Sequence, residues 1–225
     1  LTLGARYDDH DAFGGHISPR AYLVWNATDS WTLKGGVSRG YRTPDLNDLH
    51  DGVNGISGQG TVVTIGNPEL EPETTTSTEV GVYYDSYDGI SANATVFHNT
   101  FEDKIANGNP VSDPLCAGNA GGTCSQLVNI DEAVTRGLEL AARWEVAPAW
   151  TLSGNYTYTD SEQKSGADKG QPLTNTPQHL ANAKLNWQAS ARIDLWLRGE
   201  YRGERARFSS SYANLANANG SYSST

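Results

Sequence analysis

IDLWLRGEYRG, residues 193–203, alternates apolar and polar side chains with a period of two. One side of an extended chain carries Ile193, Leu195, Leu197 and Tyr201, and the other carries Asp194, Arg198, Glu200 and Arg202, with Trp196 as the exception. An amphipathic helix would repeat its apolar residues every three to four positions. The pattern therefore predicts a strand with one apolar face and one polar face.

The same alternation recurs in eight other segments of the chain, at 1–8, 19–26, 31–38, 77–85, 90–97, 137–146, 151–159 and 180–188. Together these segments predict about nine strands of roughly 8–12 residues. Strands joined by short turns run antiparallel, because a tight turn cannot connect parallel neighbours. The predicted fold class is therefore all-β.

The connections between the predicted strands alternate in length. The short ones are 27–30, 85–89, 147–150 and 189–192. Those between them are mostly long, at 42–75, 103–129 and 161–177, and 9–15 is the shortest of this second set. Short turns at one end and long extracellular loops at the other are typical of outer-membrane barrels. The sequence thus predicts an antiparallel transmembrane β-barrel segment with long extracellular loops near 42–75, 103–129 and 161–177.

Tryptophan is concentrated near the short turns. Each of the six lies within a few residues of such a turn, at Trp25, Trp31, Trp144, Trp150, Trp187 and Trp196. Indole rings favour the membrane–water interface, where one side of the ring is apolar and the other is wet. A soluble or adhesive β-sandwich, the alternative binding module, would scatter its tryptophans along the strands. The clustering predicts an aromatic girdle at the short-turn end of a barrel.

The polar faces of the predicted strands carry charges of both signs, at Arg6, Asp8, Lys34, Glu79, Glu139, Arg143, Lys184, Arg198, Glu200 and Arg202. Burying such a face against a dry sheet is unfavourable, whereas a wet or plugged lumen accommodates it. Nine strands cannot close a barrel of that width, and bacterial barrels have even strand numbers. The chain also contains no Met. We therefore expect residues 1–225 to be part of one barrel domain of a longer gene product.

Charge and cysteine content narrow the choice of partner and compartment. The net charge of −10 argues against nucleic acid, whose phosphates require a basic surface. Cys116 and Cys124 lie in a Gly- and Asn-rich stretch, DPLCAGNAGGTCSQ, and are the only cysteines. Their spacing predicts a local disulfide and an oxidising compartment. Two sulfurs without a nearby His match zinc sites poorly, so no metal site is predicted.

Two motifs resemble sites of enzymes or metal centres. GVSRG, residues 36–40, matches the G-x-S-x-G nucleophile elbow, but Ser38 falls within a predicted strand, where the elbow needs a strand–turn–helix context. DDHD, residues 8–11, predicts a charged hairpin tip. A phospholipase built on a barrel needs a Ser and a His whose side chains project from the same face of the strands. His98 and His179 are isolated and do not supply such a pair. The chain is predicted not to be an enzyme and to carry no cofactor.

Three segments resemble one family of outer-membrane proteins. They are GYRTPDLNDL (40–49), IGNPELEPETTTSTEVGVYY (65–84) and ATVFHNTFEDKI (94–105), and the likeness continues through 132–162 and 169–187. The chain resembles the C-terminal half of TonB-dependent receptors over almost its whole length. Within that family it is most similar to the group of the colicin I receptor and the ferric enterobactin (catecholate) receptors.

This resemblance implies a barrel of about 22 strands, filled by an N-terminal plug that is not in this chain. It implies binding of a ferric siderophore, which carries the iron, and import with energy from TonB, ExbB and ExbD. The likeness to catecholate receptors favours a ferric catecholate, with haem and cobalamin as alternatives. Outer-membrane lipid, lipopolysaccharide and colicin-type toxins or phage are the other implied partners.

An anionic ferric siderophore is best held by aromatic and basic side chains, through stacking, cation–π contact and charge attraction. The expected ligand-binding residues are Arg39, Tyr41 and Arg42 at the end of one strand, and Arg202, Arg205 and Arg207 at the end of another. The alternative for each arginine is a contact with lipopolysaccharide phosphate or with a neighbouring strand.

Overall fold

The computed structural model describes residues 1–57, 62–108, 110–119, 122–166, 169–206 and 223–224. Its strands, in chain order, are β1 (Thr2–His10), β2 (Gly14–Asn26), β3 (Trp31–Arg42), β4 (Val53–Ser57), β5 (Val62–Ile65), β6 (Glu73–Asp85), β7 (Ile90–Asn107), β8 (Ser125–Ala147), β9 (Trp150–Gln163), β10 (His179–Ser190), β11 (Ile193–Arg202), β12 (Arg205–Ala206) and β13 (Ser223–Ser224). A short 3-10 helix covers Pro114–Cys116. No helix in these ranges is long and apolar enough to cross a membrane.

Nine of these strands follow one another across a single antiparallel sheet, in the order β1, β2, β3, β6, β7, β8, β9, β10, β11. The predicted all-β class and the nine predicted strands are confirmed. Within the described residues β1 and β11 do not pair, so the sheet is open. The short strands β4 and β5 lie off this path, and β12 pairs with β13 in a separate two-stranded sheet.

The strand registers join the apolar positions into one continuous face. Leu33 pairs with Val82, Val82 with Ala94, and Ala94 with Leu140. Paired residues project to the same side of a sheet. One face is therefore apolar across the neighbouring strands, and the charged side chains predicted to line a lumen, such as Lys34 and Glu79, lie on the other.

The apolar face forms a band of limited height. On β8 its outward residues run from Leu138 to Val146, and the next outward residue towards the long loops is Arg136. Val146 follows Leu138 by eight residues. At a rise of about 3.4 Å per residue along a strand tilted by about 40°, the band is roughly 20 Å tall, close to that of outer-membrane barrels. Above the band Arg136 forms an ion pair with Asp160 (2.8 Å). The apolar face therefore faces lipid, and ion pairs begin where the bilayer ends.

Five of the six tryptophans belong to this outward face at the short-turn end. Trp150 stacks on Trp187 (centroids 5.2 Å apart, 6° between planes), and Trp31 packs against Tyr84 (4.7 Å). The girdle prediction was wrong for Trp196. That residue pairs with Asn186 on the polar face, and its ring lies 5.6 Å from the Lys184 ammonium.

The short turns lie where the sequence predicts them, and the long connections differ from the prediction in extent. The turns cover 27–30, 86–89, 148–149 and 191–192. Tyr87 ties the first two turns together, because its hydroxyl donates to the carbonyl of Asp29 (2.8 Å). The long connections run 43–72, 108–124 and 164–178. The second is much shorter than the predicted 103–129, since β7 and β8 extend well beyond the bilayer.

Candidate functional site at the long-loop end

Two long connections fold together beyond the strands into a unit that we call the cap, the described residues of 43–72 and 108–124. Within it β4 pairs with β5, and β5 continues in parallel alongside β8 through Thr64–Ser125 and Ile65–Gln126. Ile65 packs against the two cysteines in a buried cluster flanked by Val63 and Val111. The cap therefore has a small hydrophobic core of its own.

The disulfide Cys116–Cys124 closes one side of the cap, as the sequence predicted. Backbone hydrogen bonds run both ways between Val111 and Cys124 (3.0 and 2.9 Å). Asp113 caps the 3-10 helix by accepting from the N–H of Leu115 (2.8 Å). The crosslink, the backbone pair and the helix cap together restrain the chain around the disulfide.

Side-chain amides attach the GNPELE segment, residues 66–71, to β8. Gln126 donates to the carbonyl of Gly66 (2.8 Å), and Asn67 donates to the carbonyl of Leu127 (3.0 Å). Both bonds join residues 60 positions apart in the chain. The segment that carries the family resemblance thus fixes the cap onto the sheet.

Asn129 is the third amide and makes the most contacts. It donates to the carbonyls of Glu71 (2.9 Å) and Asp103 (2.7 Å), and its oxygen accepts from the N–H of Glu71 (2.8 Å). The pair of bonds with Glu71 imitates the exchange between two paired strand residues. Asn129 therefore joins the cap to both β7 and β8.

Replacing Asn129 with alanine should loosen the cap. We expect the substitution to lower the free energy of local opening of residues 43–72 by about 1–3 kcal/mol, because backbone partners lose their hydrogen bonds. Hydrogen exchange of the intact receptor, read at the amides of 43–72, measures this. Asn186→Ala on the polar face of β10 is the matched control and should leave exchange unchanged. Equal exchange in both variants would contradict the role given to Asn129.

Arg39 is held by an ion pair on the outward side of β3. Alternation along β3 places it with Leu33 and Val37, and it donates to Glu102 (3.2 Å). Thr74 donates to the same carboxylate (3.1 Å). Both members of the ion pair are about half exposed. This matches the alternative stated for Arg39, a contact with a neighbouring strand.

Tyr41 takes part in an aromatic stack at the end of β3. The β2–β3 ladder ends at Arg20 and Ser38. Beyond that point the Tyr41 ring bridges the two strands by stacking on His16, with centroids 3.9 Å apart and 19° between the planes. The stack places a polarisable surface where the strands separate.

Arg42 lies on the opposite side of β3 from Arg39, with the lumen-facing Lys34. In the register it faces Glu73, but that carboxylate is buried and already accepts from the N–H of Ile105 (3.1 Å), with the Lys104 ammonium 3.7 Å away. Arg42 is exposed and makes no ion pair with any residue that the structure describes. Its charge is therefore available to a ligand.

The second predicted group lies elsewhere. Arg202 ends β11 opposite Leu180, and Arg205 begins β12 and bridges to Pro177. Arg207 lies outside the described residues. Six strand steps of about 4.8 Å separate β3 from β11, or roughly 29 Å along the sheet. The structure thus keeps Arg39, Tyr41 and Arg42 at the end of β3, with Arg39 and Arg42 on opposite faces, and leaves Arg202 and Arg205 apart from them.

Ser38 does not occupy a nucleophile elbow. It lies within β3, paired with Arg20 on one side and Ser77 on the other. An elbow requires a sharp turn from a strand into a helix. DDHD ends β1 and enters the turn to β2, in agreement with the predicted hairpin tip.

The lipid-facing band, the aromatic girdle and the cap above long strands define a segment of an outer-membrane barrel wall. Residues 1–225 match the family model "TonB dependent receptor-like, beta-barrel". The chain belongs to this family of TonB-dependent receptors, and its location is the bacterial outer membrane.

Individual relatives agree with this assignment. The iron-regulated outer membrane virulence protein of Vibrio cholerae is 43% identical over 91% of this chain and 31% of its own length. The solved siderophore receptor PirA of Pseudomonas aeruginosa has a TM-score of 0.74 at 26% identity, covering 89% of this chain and 36% of that one. A variant of the ferric enterobactin receptor of P. aeruginosa, solved with enterobactin, has a TM-score of 0.70 at 29% identity, covering 91% and 30%.

The chain therefore spans about a third of the length of the relatives it matches. Those relatives are named as outer-membrane proteins or receptors, which supports the prediction that the chain is not an enzyme.

Proposed function

We propose that the intact receptor binds a ferric catecholate siderophore at the long-loop end of this wall. It imports the complex across the outer membrane with energy delivered through TonB, ExbB and ExbD. Family membership supports receptor function, and the likeness to a receptor solved with enterobactin supports a catecholate ligand. The observation on this chain that carries the proposal is the lumen-side Arg42 at the end of β3, which makes no ion pair with any residue that the structure describes.

The chemistry of this corner suits the proposed ligand. A ferric catecholate is anionic and presents flat aromatic rings. A guanidinium attracts the negative charge, can donate to the catecholate oxygens, and can stack its flat face on the rings. Arg39 contributes less, because Glu102 already neutralises its charge. Arg42 is therefore the arginine of this group that we assign to the ligand.

Uptake of radioactive iron by cells carrying or lacking the full-length gene tests the function. The panel contains ferric catecholates, hydroxamates and citrate, each with and without TonB. We expect uptake of a catecholate complex that needs both the receptor and TonB. A lack of receptor-dependent uptake of all these iron complexes would overturn the siderophore assignment and keep the barrel, and labelled haem and cobalamin would then be tested in the same cells. Uptake that does not depend on TonB would overturn the proposed energy source.

Replacing Arg42 with alanine should weaken ligand binding. We expect the dissociation constant of the ferric catecholate to rise about tenfold, because a charge-assisted hydrogen bond worth roughly 1.5 kcal/mol is lost. Binding to the purified full-length receptor, followed by intrinsic fluorescence quenching, measures the constant. Arg39→Ala removes the same charge from the outward face and is the matched control. If Arg39→Ala weakened binding more than Arg42→Ala, the assignment of Arg42 would be wrong.

A further inference from the structure

A row of small residues crosses the lipid-facing side of the sheet. In the register each member pairs with the next on the neighbouring strand, so the row runs across β7, β8, β9, β10 and β11 perpendicular to the strands. Its members are Ala92, Ala142, Gly154, Ala183 and Gly199. Because small side chains leave the backbone uncovered, the row forms the floor of a groove.

Large side chains wall this groove on β8 and β9, whereas Ala94 and Ala181 leave its long-loop side low on β7 and β10. Leu140 and Tyr156 stand on the long-loop side, and Trp144 and Leu152 stand on the short-turn side, two residues from the floor in each direction. Together with the floor from Ala92 to Ala183, they line an open cavity of about 700 Å³. Apart from tyrosine hydroxyls, the side chains on this face of the groove are apolar.

The groove is closed at its β6 end. At β6 the floor row meets Tyr84, which packs on Trp31, so this aromatic pair closes the groove. A Cβ added to Gly154 would lie 2.8 Å from the carbonyl oxygen of Asn182. Glycine is therefore required there for the strands to approach, which keeps the floor low.

The width of the groove selects the shape of its occupant. On β8 and β9 the walls are four residues apart along the strand, or about 13 Å between backbones, and their large side chains project into that space. A helix with its side chains is about 10–12 Å in diameter and does not enter. An extended hydrocarbon chain does.

The length and depth of the groove also fit a lipid chain. Four strand spacings of about 4.8 Å give a floor roughly 19 Å long. With strands tilted by about 40°, the floor rises through roughly 12 Å of membrane, most of one leaflet of about 15 Å. Its centre lies four residues, or about 10 Å of depth, above the Trp150–Trp187 pair at the short-turn interface. The groove therefore lies within the periplasmic leaflet.

We propose that this groove is a binding site for one acyl chain of a phospholipid from the periplasmic leaflet. It is continuous with the lipid-facing band, so acyl chains already surround it, and burying a methylene there is favourable. The chain would lie across β7 to β11 and end against the Trp31–Tyr84 pair. This site does not depend on which ligand the receptor imports.

Photocrosslinking of the full-length receptor in liposomes tests the proposal. The probe is phosphatidylethanolamine with a diazirine halfway along one acyl chain, and mass spectrometry locates the labelled peptides. We expect labelling of β7 to β10 around the groove to exceed, several-fold, the labelling of the outward face of β2 and β3 at the same height. Uniform labelling of all outward faces would overturn the proposal, as would crosslinks at the groove to a second receptor copy in place of lipid.

Matched variants separate the groove from general lipid contact. Ala142→Leu combined with Ala183→Leu fills the groove and should reduce labelling there several-fold. Ala5→Leu combined with Ala21→Leu places the same side chains on the outward face of β1 and β2 and should leave groove labelling unchanged. Heat-modifiable migration in electrophoresis verifies that each variant is folded, and Ala142→Leu alone replaces the pair if it is not. Unchanged labelling in a folded groove variant would overturn the proposal.

Discussion

Arginine in place of Leu140 should lower the free energy of unfolding of the intact receptor in a bilayer by about 2–4 kcal/mol. Leu140 lies inside the apolar band, paired with Ala94 and Tyr156 on the lipid-facing side. A guanidinium at this depth must leave water or drag water and headgroups into the hydrocarbon. The strand offers no nearby route out, because Leu138 and Ala142 also face lipid.

The adjacent residue supplies the control for this prediction. Ala141 points to the polar face, between Asn93 and Asn155 in the register, and that face already carries Arg143. Ala141→Arg should therefore change the free energy of unfolding much less than Leu140→Arg. Urea unfolding of both variants in liposomes, followed by tryptophan fluorescence, gives the two values. A larger loss for Ala141→Arg would mean that the two faces of the sheet have been assigned the wrong way round.

The strands within the bilayer could be predicted because lipid on one side and a polar interior on the other impose a period of two. Above the membrane no lipid surrounds the strands, so nothing requires their outward residues to be apolar. On β7 the outward residues beyond the band are His98, Thr100 and Glu102, all polar, so the outward face is no longer apolar. The alternation disappears while the strand continues to Asn107. Sequence patterns therefore marked the bilayer-spanning part of β7 and β8 and missed their extensions.

The cap was unpredictable for a different reason. Its strands β4 and β5 are short, and β5 is completed by pairing with Ser125 and Gln126 of β8. The amides that hold it, Gln126 and Asn129, bond residues about 60 positions earlier in the chain. No local pattern distinguishes them from other polar residues of a loop. The disulfide could be predicted because Cys116 and Cys124 are close in sequence and have no competing thiol.

The candidate site shows the same division between local pattern and distant contact. Arg39 and Arg42 look equivalent as basic residues at a strand end, and parity assigns them to opposite faces. Only the fold reveals that Glu102, 63 residues away, forms an ion pair with Arg39. It also shows that the carboxylate of Glu73, which faces Arg42, already contacts Lys104 and Ile105. Sequence reasoning also missed His16, whose stack on Tyr41 forms where β2 and β3 separate. The inference that Arg42 serves the ligand rests on these contacts.

Alanine in place of Gly66 should disrupt the cap and leave the barrel wall folded. A Cβ at this position would lie 1.9 Å from the carbonyl oxygen of His50 and 3.0 Å from that of Asp48. Both contacts are with backbone, so no side chain can swing aside and the loop must move. We expect the free energy of unfolding of the cap to fall by about 3 kcal/mol, which is the upper end of the usual cost of overpacking. The displacement would separate Ile65 from the disulfide and weaken the Gln126 hydrogen bond to Gly66.

Ligand binding and local exchange together test this prediction. In Gly66→Ala, hydrogen exchange should rise across 43–72 and remain native in the bilayer-spanning parts of β8 and β9. The affinity for the ferric catecholate should fall more than in Arg42→Ala, because the moving cap begins directly after Arg42. Gly118→Ala is the matched control within the cap, since a Cβ there meets nothing within 4 Å. Native exchange in Gly66→Ala would show that the loop relaxes around the added methyl, and the cap would then be too pliable to position a ligand.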